Sequence, residues 1–186
     1  MSDIIKTETT AKGHTVNVYH DSDVESPRDE FGPMSTFFGF HARYISPDKA
    51  PDSDPTKARR IAENAENICL PVWLYDHSGT DYTACVSNPY HCRWDSGLFG
   101  FIFISRADAR HRYGAKRISQ RLLVEIKEDL ASEVRTYSKW ANGECYCHEV
   151  RDESGEVVGG CGGWYDLDGA LTDGMQEAYA LEGESK

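Results

Sequence analysis

Asp76, His77 and Ser78 are consecutive in this 186-residue chain and bring together the residue types of a hydrolytic relay. A relay needs its nucleophile, base and orienting acid to converge, and side chains one residue apart point in different directions. Neither Ser78 nor Ser96 lies in a Gly-X-Ser-X-Gly elbow. They sit in HSG and DSG, where Asp and Ser side chains bond the nearby backbone of a turn. A second grouping is Cys145, Cys147 and His148, with Cys161 further on and His91-Cys92 in a separate loop. Thiolates and imidazoles suit zinc, so four of these could close a tetrahedral site. The single residue between Cys145 and Cys147 is shorter than structural zinc sites use, and on a strand His148 would face away from both. Buried free thiols account for the same residues. A third grouping runs from Arg106 to Arg121, with six Lys/Arg against one Asp, plus His111 and Tyr113. Such a stretch can contact phosphates. It can equally be a solvated helix surface or an internal counterpart to acidic residues elsewhere. The run GGCGG at 159–163 has the glycines of a phosphate loop without its Lys-Ser/Thr ending. The acid pairs Glu128/Asp129 and Glu182/Glu184 are expected to face solvent.

Charge is the strongest compositional signal, at −11 with a pI near 5.0. A surface of that sign repels phosphate, which argues against binding nucleic acid over the whole molecule and favours docking on a basic partner. Net charge serves solubility as well. The charge is uneven: residues 144–186 hold 2 Lys/Arg against 11 Asp/Glu, whereas 106–143 hold 9 against 5. No apolar run reaches membrane-spanning length, and Met1-Ser2-Asp3 does not begin a signal-peptide pattern, so a cytoplasmic protein with free cysteines is expected.

The elements that would position these groups centre on residues 70–105, the densest apolar and aromatic stretch. Strands are predicted at 70–76, 81–86 and 99–105, joined as a meander, with a further strand at 15–20. Residues 1–13 are expected to be frayed, 21–33 and 45–55 to be loops, and 35–44 a short strand or buried turn. Thr56 is expected to cap a helix over 57–67. Ser119 caps the longest helix, about 118–141, whose Ile118, Leu122, Ile126, Leu130, Val134 and Tyr137 form an apolar stripe ending at Asn142-Gly143. A hairpin over 144–164 turns at 153–155, and an acidic helix follows over 167–181, with Gly169 and Gly174 weakening it. The order predicts an α+β fold: an antiparallel sheet of about four to six strands, the long helix packed on it, and shorter helices. The parts, an N-terminal extension and helix (1–69), a core α+β domain (70–166) and an acidic end (167–186), are expected to form one domain overall.

The segments LPVWLYDHSG (70–79), WDSGLFGFIFIS (94–105), EVRTYSKWANGECYCHEV (133–150), DESGE (152–156) and CGGWYD (161–166) resemble a family of small accessory proteins of bacteriophages, prophages and plasmids. That family's pattern has a Y-[DE]-H-S-G strand turn, a W-D-S-G turn before an apolar strand, and a long helix ending at N-G. The match covers residues 70–166 and departs from the pattern at Cys145 and Cys147. The resemblance implies an accessory protein of a mobile element, acting in the bacterial cytoplasm. By class it points to an anti-CRISPR-like inhibitor of host defence. Such a protein would bind a CRISPR-Cas or other defence nucleoprotein complex as a DNA mimic, without catalysis, cofactor, membrane or direct nucleic-acid contact. The expected contact residues are Glu149, Asp152, Glu153, Glu156, Asp166, Asp168, Asp173 and Glu177, with Trp164 and Tyr165 as exposed anchors. The alternatives are a small metal-dependent or hydrolytic enzyme built on His77, Asp95, Cys145, Cys147 or Cys161, and a regulatory nucleic-acid-binding protein using Arg106 to Arg121.

Overall fold

Alternation along β4 (Asn67–Asp76) sets the first of two compact units. Ile68, Leu70, Val72 and Leu74 are buried on one face, and Cys69, Pro71 and Trp73 point to the other. The computed structural model describes residues 3–30, 32–77 and 79–184. Its contacts divide the chain into unit 1, residues 1–25 with 139–186, and unit 2, residues 26–138.

Unit 2 carries an antiparallel sheet in the order β3 (Thr36–Gly39), β6 (Ser96–Ser105), β4, β5 (Thr80–Ala84). The expected meander is corrected here, because β6 returns to the far edge of β4 instead of pairing with β5. Pro71 is tolerated inside β4 because the β5 ladder stops at Val72–Ala84, one residue before its missing N–H would be needed. The β4–β6 register shifts at Val72/Trp73, leaving Phe99 as the extra residue. Phe99 turns into an edge-to-face cluster with Phe37, Tyr82 and Tyr137, with ring centroids 5.0–6.4 Å apart. Gly100 permits the crossing, since a Cβ there would lie 2.0 Å from the Phe38 carbonyl oxygen.

The long helix α4 (Gln120–Ala141) packs on that aromatic face, and its buried residues Ile126, Leu130, Val134 and Tyr137 are those of the sequence stripe. Burying these four side chains is worth about 6–12 kcal/mol before entropy. The Ser119 hydroxyl caps it by accepting from Leu122 N at 3.2 Å, and Gly143 ends it at φ +71°. On the other sheet face, α2 (Pro55–Ala62) lays Ala58 and Ala62 against Phe38 and Phe101. Asp54, not Thr56, caps α2: its Oδ1 accepts from Thr56 N at 2.8 Å and Lys57 N at 3.2 Å, and Pro55 fits the first helical position. Two short helices, α1 (Pro27–Glu30) and α3 (Arg106–Arg112), complete the unit.

Arg28, on α1, is the buried charge of unit 2, with a side chain 3% exposed. Its fork donates to both Asp48 oxygens at 3.0 and 2.5 Å, to Glu133 Oε2 at 2.5 Å and to the Ser35 carbonyl at 2.8 Å. Burial works against the charge, but the hydrogen bonds and charges of Asp48 and Glu133 outweigh it and raise the pKa further. One guanidinium thereby ties α1, the loop before α2 and α4 together.

Unit 1 is built from both ends of the chain. Its antiparallel sheet runs β1 (Ile4–Thr9), β2 (Thr15–His20), β7 (Tyr146–Arg151), β8 (Val157–Trp164). Two expectations are corrected. The single sheet is two four-stranded sheets, because the 144–164 hairpin pairs with β2, and the N-terminal segment forms strand β1 instead of fraying. Val16, Val18 and Val150 face α5 (Leu167–Glu184), which meets them through Ala170, Gly174 and Ala178, spaced one helical turn apart. A Cβ on Gly174 would lie 2.6 Å from Val16, so the glycine that weakens the helix locally is what lets it seat. The fold class is α+β with antiparallel sheets, as the element order predicts.

Two outcomes follow from unit 2. Arg28→Met should cost about 3–5 kcal/mol by urea denaturation, because Asp48 and Glu133 lose their counter-charge, with Arg28→Lys in between. Burial, the first cause for both, also raises the phenol pKa of Tyr82 and Tyr137. The unfolded chain would therefore release these protons first. Stability should be full below about pH 10 and fall as pH rises past it. Tyr82→Phe should shallow that fall in an alkaline melting series.

Candidate functional site

Unit 1 holds 5 Lys/Arg against 16 Asp/Glu, and unit 2 holds 15 of each. The whole net charge therefore belongs to unit 1. Glu149, on β7, is paired with Arg151 at 2.6 Å. Asp152 caps the β7–β8 turn, accepting from Ser154 Oγ at 2.7 Å and from the amides of Ser154 and Glu156; the Ser154 contact, then the backbone amides, lower its pKa. Glu153 and Glu156 stand exposed at that turn. Asp166 caps α5 through Gly169 N at 2.8 Å, and Asp168 bonds Lys6 at 3.1 Å. Asp173 and Glu177 face His148, at 3.9 and 3.0 Å. Trp164 and Tyr165 are corrected as exposed anchors: both are half-buried, and Trp164 packs against the unit 1 core. Glu182 is also corrected, being buried and hydrogen-bonded by the Thr10 hydroxyl, while the side chain of Glu184 lies outside the described residues. The exposed carboxylates without an ion pair among the described residues include Glu8, Glu144, Glu153 and Glu156.

The cysteine grouping does not converge. His148 lies under α5 with its Nε2 on Glu177, whereas Cys147 is on the opposite sheet face near Gly162, and Cys161 is exposed on β8. Among the described residues no group of three His, Cys, Asp or Glu side chains could hold a metal. The glycines of β8 make room for carboxylates: a Cβ on Gly159 would meet Glu177 Oε1 at 2.3 Å, and one on Gly162 would meet Asp21 Oδ2 at 2.5 Å. A phosphate would be repelled there.

In unit 2, His77 Nδ1 lies 3.4 Å from Asp95 Oδ2, and the Cys92 thiol lies 3.1 Å from the same oxygen. The acid sits between the two other groups, whereas a relay requires the histidine in the middle. Ser78 lies outside the described residues. Ser96 donates its hydroxyl to the Cys92 carbonyl, a turn contact. His77 and Asp95 belong to unit 2 and Cys145, Cys147 and Cys161 to unit 1.

Sequence reasoning missed a hollow of about 550 Å³ in unit 2, walled by Arg112, Tyr113 and Met34 and floored by one face of α4. That face is Asp129, Ser132, Glu133 and Thr136; Asp129 is exposed, as the sequence predicts, and accepts the Tyr113 hydroxyl. The signal was present as polar residues at helical spacing along one flank of the apolar stripe of α4. Burial, then Asp129, raise the Tyr113 pKa and keep the phenol neutral. No protein-family model, curated protein or solved structure matches the chain.

Thiol labelling separates the cysteines. Burial pushes the Cys69 thiol up to about 12, and burial also raises Cys145 and Cys147. With maleimide near neutral pH, Cys161 should react first and the buried Cys145 last. A fast phase that survives Cys161→Ser would contradict this placement.

Proposed function

We propose that this protein is a non-catalytic inhibitor that docks its acidic unit 1 on a basic, nucleic-acid-binding surface of a host defence complex and so blocks DNA engagement. The observation that carries the reading is charge segregation: all of the −11 lies on unit 1, while unit 2 is neutral. A field of one sign on one part of a chain speeds and orients encounter with an oppositely charged surface. It does so most through carboxylates that internal cations leave free, here Glu8, Glu144, Glu153 and Glu156. Those bound to Arg151, Lys6 or His148 hold the fold of unit 1 and add less. The resemblance of residues 70–166 to phage accessory proteins supplies the setting, an anti-CRISPR-like role in the bacterial cytoplasm. No helix among the described residues is long and apolar enough to cross a membrane.

Reversing Glu8, Glu144, Glu153 and Glu156 to Lys tests this, with Glu66, Glu125 and Glu128 of unit 2 reversed as the control. The unit 1 set should weaken capture of purified CRISPR-Cas effector complexes by about 100-fold and flatten the salt dependence of association. The control set should change little. Equal binding by both sets would remove the mechanism.

A further inference from the structure

We propose that unit 2 carries a separate site for single-stranded nucleic acid, in which the cations of residues 110–121 hold phosphates and the adjoining hollow takes a base. This goes beyond the reading above and rests on the other unit. Arg110, Arg112, Lys116, Arg117 and Arg121 follow one another through the end of α3, the connection at 113–119 and the first turn of α4. The ion pairs of unit 2 among the described residues use Arg28, Arg43, Arg59 and His77, and none of these five. Residues 110–121 contain no acid, and Asp108 just before them accepts the Ser105 hydroxyl at 2.5 Å. The first turn of α4 has no acid, so its exposed amide end adds partial positive charge beside Arg117 and Arg121. Unit 2 thus keeps a cluster of cations outside any ion pair among the described residues.

The hollow decides between polyanions. Arg112 lines both the 550 Å³ hollow and a neighbouring one of about 660 Å³, with Met34 shared between them. Pro33, Met34 and the Tyr113 ring offer apolar faces, and Ser132 and Thr136 offer hydroxyls for a base edge. Of the carboxylates on its floor, Glu133 is paired with Arg28, while Asp129 accepts the Tyr113 hydroxyl and keeps its charge, which a phosphate must avoid. A phosphate therefore belongs at the rim, on Arg112 and its neighbours, with the attached base turned inward. Duplex DNA keeps its bases stacked and cannot fill such a hollow, and an acidic peptide has no aromatic ring to place in it at each charge. Aromatic walls beside a cationic track are how single strands are held without sequence preference.

Fluorescence anisotropy of the full chain with labelled dT12 and U12, across 50–200 mM KCl, tests the site. About four phosphate contacts give a log–log salt slope near −2.8, an affinity loss of about 50-fold over that range. Arg112→Glu with Arg117→Glu should weaken binding at least tenfold and shallow the slope. Tyr113→Ala should weaken it with the slope unchanged, while Tyr113→Phe, which keeps the ring, should bind as the parent does. Urea midpoints equal to the parent's establish that the variants are folded. No binding at 50 mM KCl, duplex binding as tight as single strand, or a silent Tyr113→Ala would each overturn the proposal. Free dTMP displacing dT12 at equal concentration would overturn the strand in favour of a free nucleotide. Salt-sensitive self-association by sedimentation, lost in the double Glu variant, would overturn it in favour of the acidic unit of a second copy.

Discussion

The pairing of β2 with β7 joins residues 15–20 to 146–151 in six consecutive antiparallel pairs, from Thr15–Arg151 to His20–Tyr146. Val16 and Val18 complete one apolar face with Val150 and His148, and only that combined face is wide enough to seat α5. The pairing forces the 113 residues of unit 2 to lie as an insertion between the halves of unit 1. It also sets an order of difficulty. The hairpins β4–β5 and β7–β8 close over short loops, whereas β2–β7 brings together segments far apart in sequence, so its closure costs more chain entropy. Unit 2 closes over shorter separations, its widest pairing being β3–β6 from Thr36–Phe103 to Gly39–Gly100, and has its own aromatic core.

Charge follows that division. Unit 1 binds its own structure with part of its carboxylates, as helix cap, turn cap and histidine partner, and leaves the rest to the solvent. Unit 2 divides its cations likewise: Arg28 is consumed by the fold, while the cluster from Arg110 to Arg121 makes no ion pair among the described residues. The same two residue classes therefore hold the fold together in one place and stand exposed in another. Burial and hydrogen bonding, not residue type, separate the two uses.

Much of unit 2 was legible in the sequence because its signals are periodic. The alternation of β4 and the stripe Ile126–Leu130–Val134–Tyr137 each admit one reading. Periodicity does not name partners, however, so the hairpin at 144–164 was assigned to the wrong sheet. β1 was missed because most of its residues are exposed and no alternating apolar face marks it. Gly174 argued against α5 by propensity, yet a tight helix–sheet approach required it. Arg28 sits among acidic loop residues and reads as surface, since nothing local shows that Asp48 and Glu133 converge on it. Of the candidate site, the charge imbalance was plain, while the hollow depends on α3, α4 and the 33–34 turn meeting in space.

Both described ends of the chain, β1 at one and α5 at the other, are parts of unit 1. A purification handle or fluorophore fused at either terminus consequently attaches to the anionic half and shares its electrostatic environment. Attachment through an exposed residue of unit 2 keeps the handle off the anionic unit itself, and it is the one to prefer wherever the acidic unit is the surface being measured.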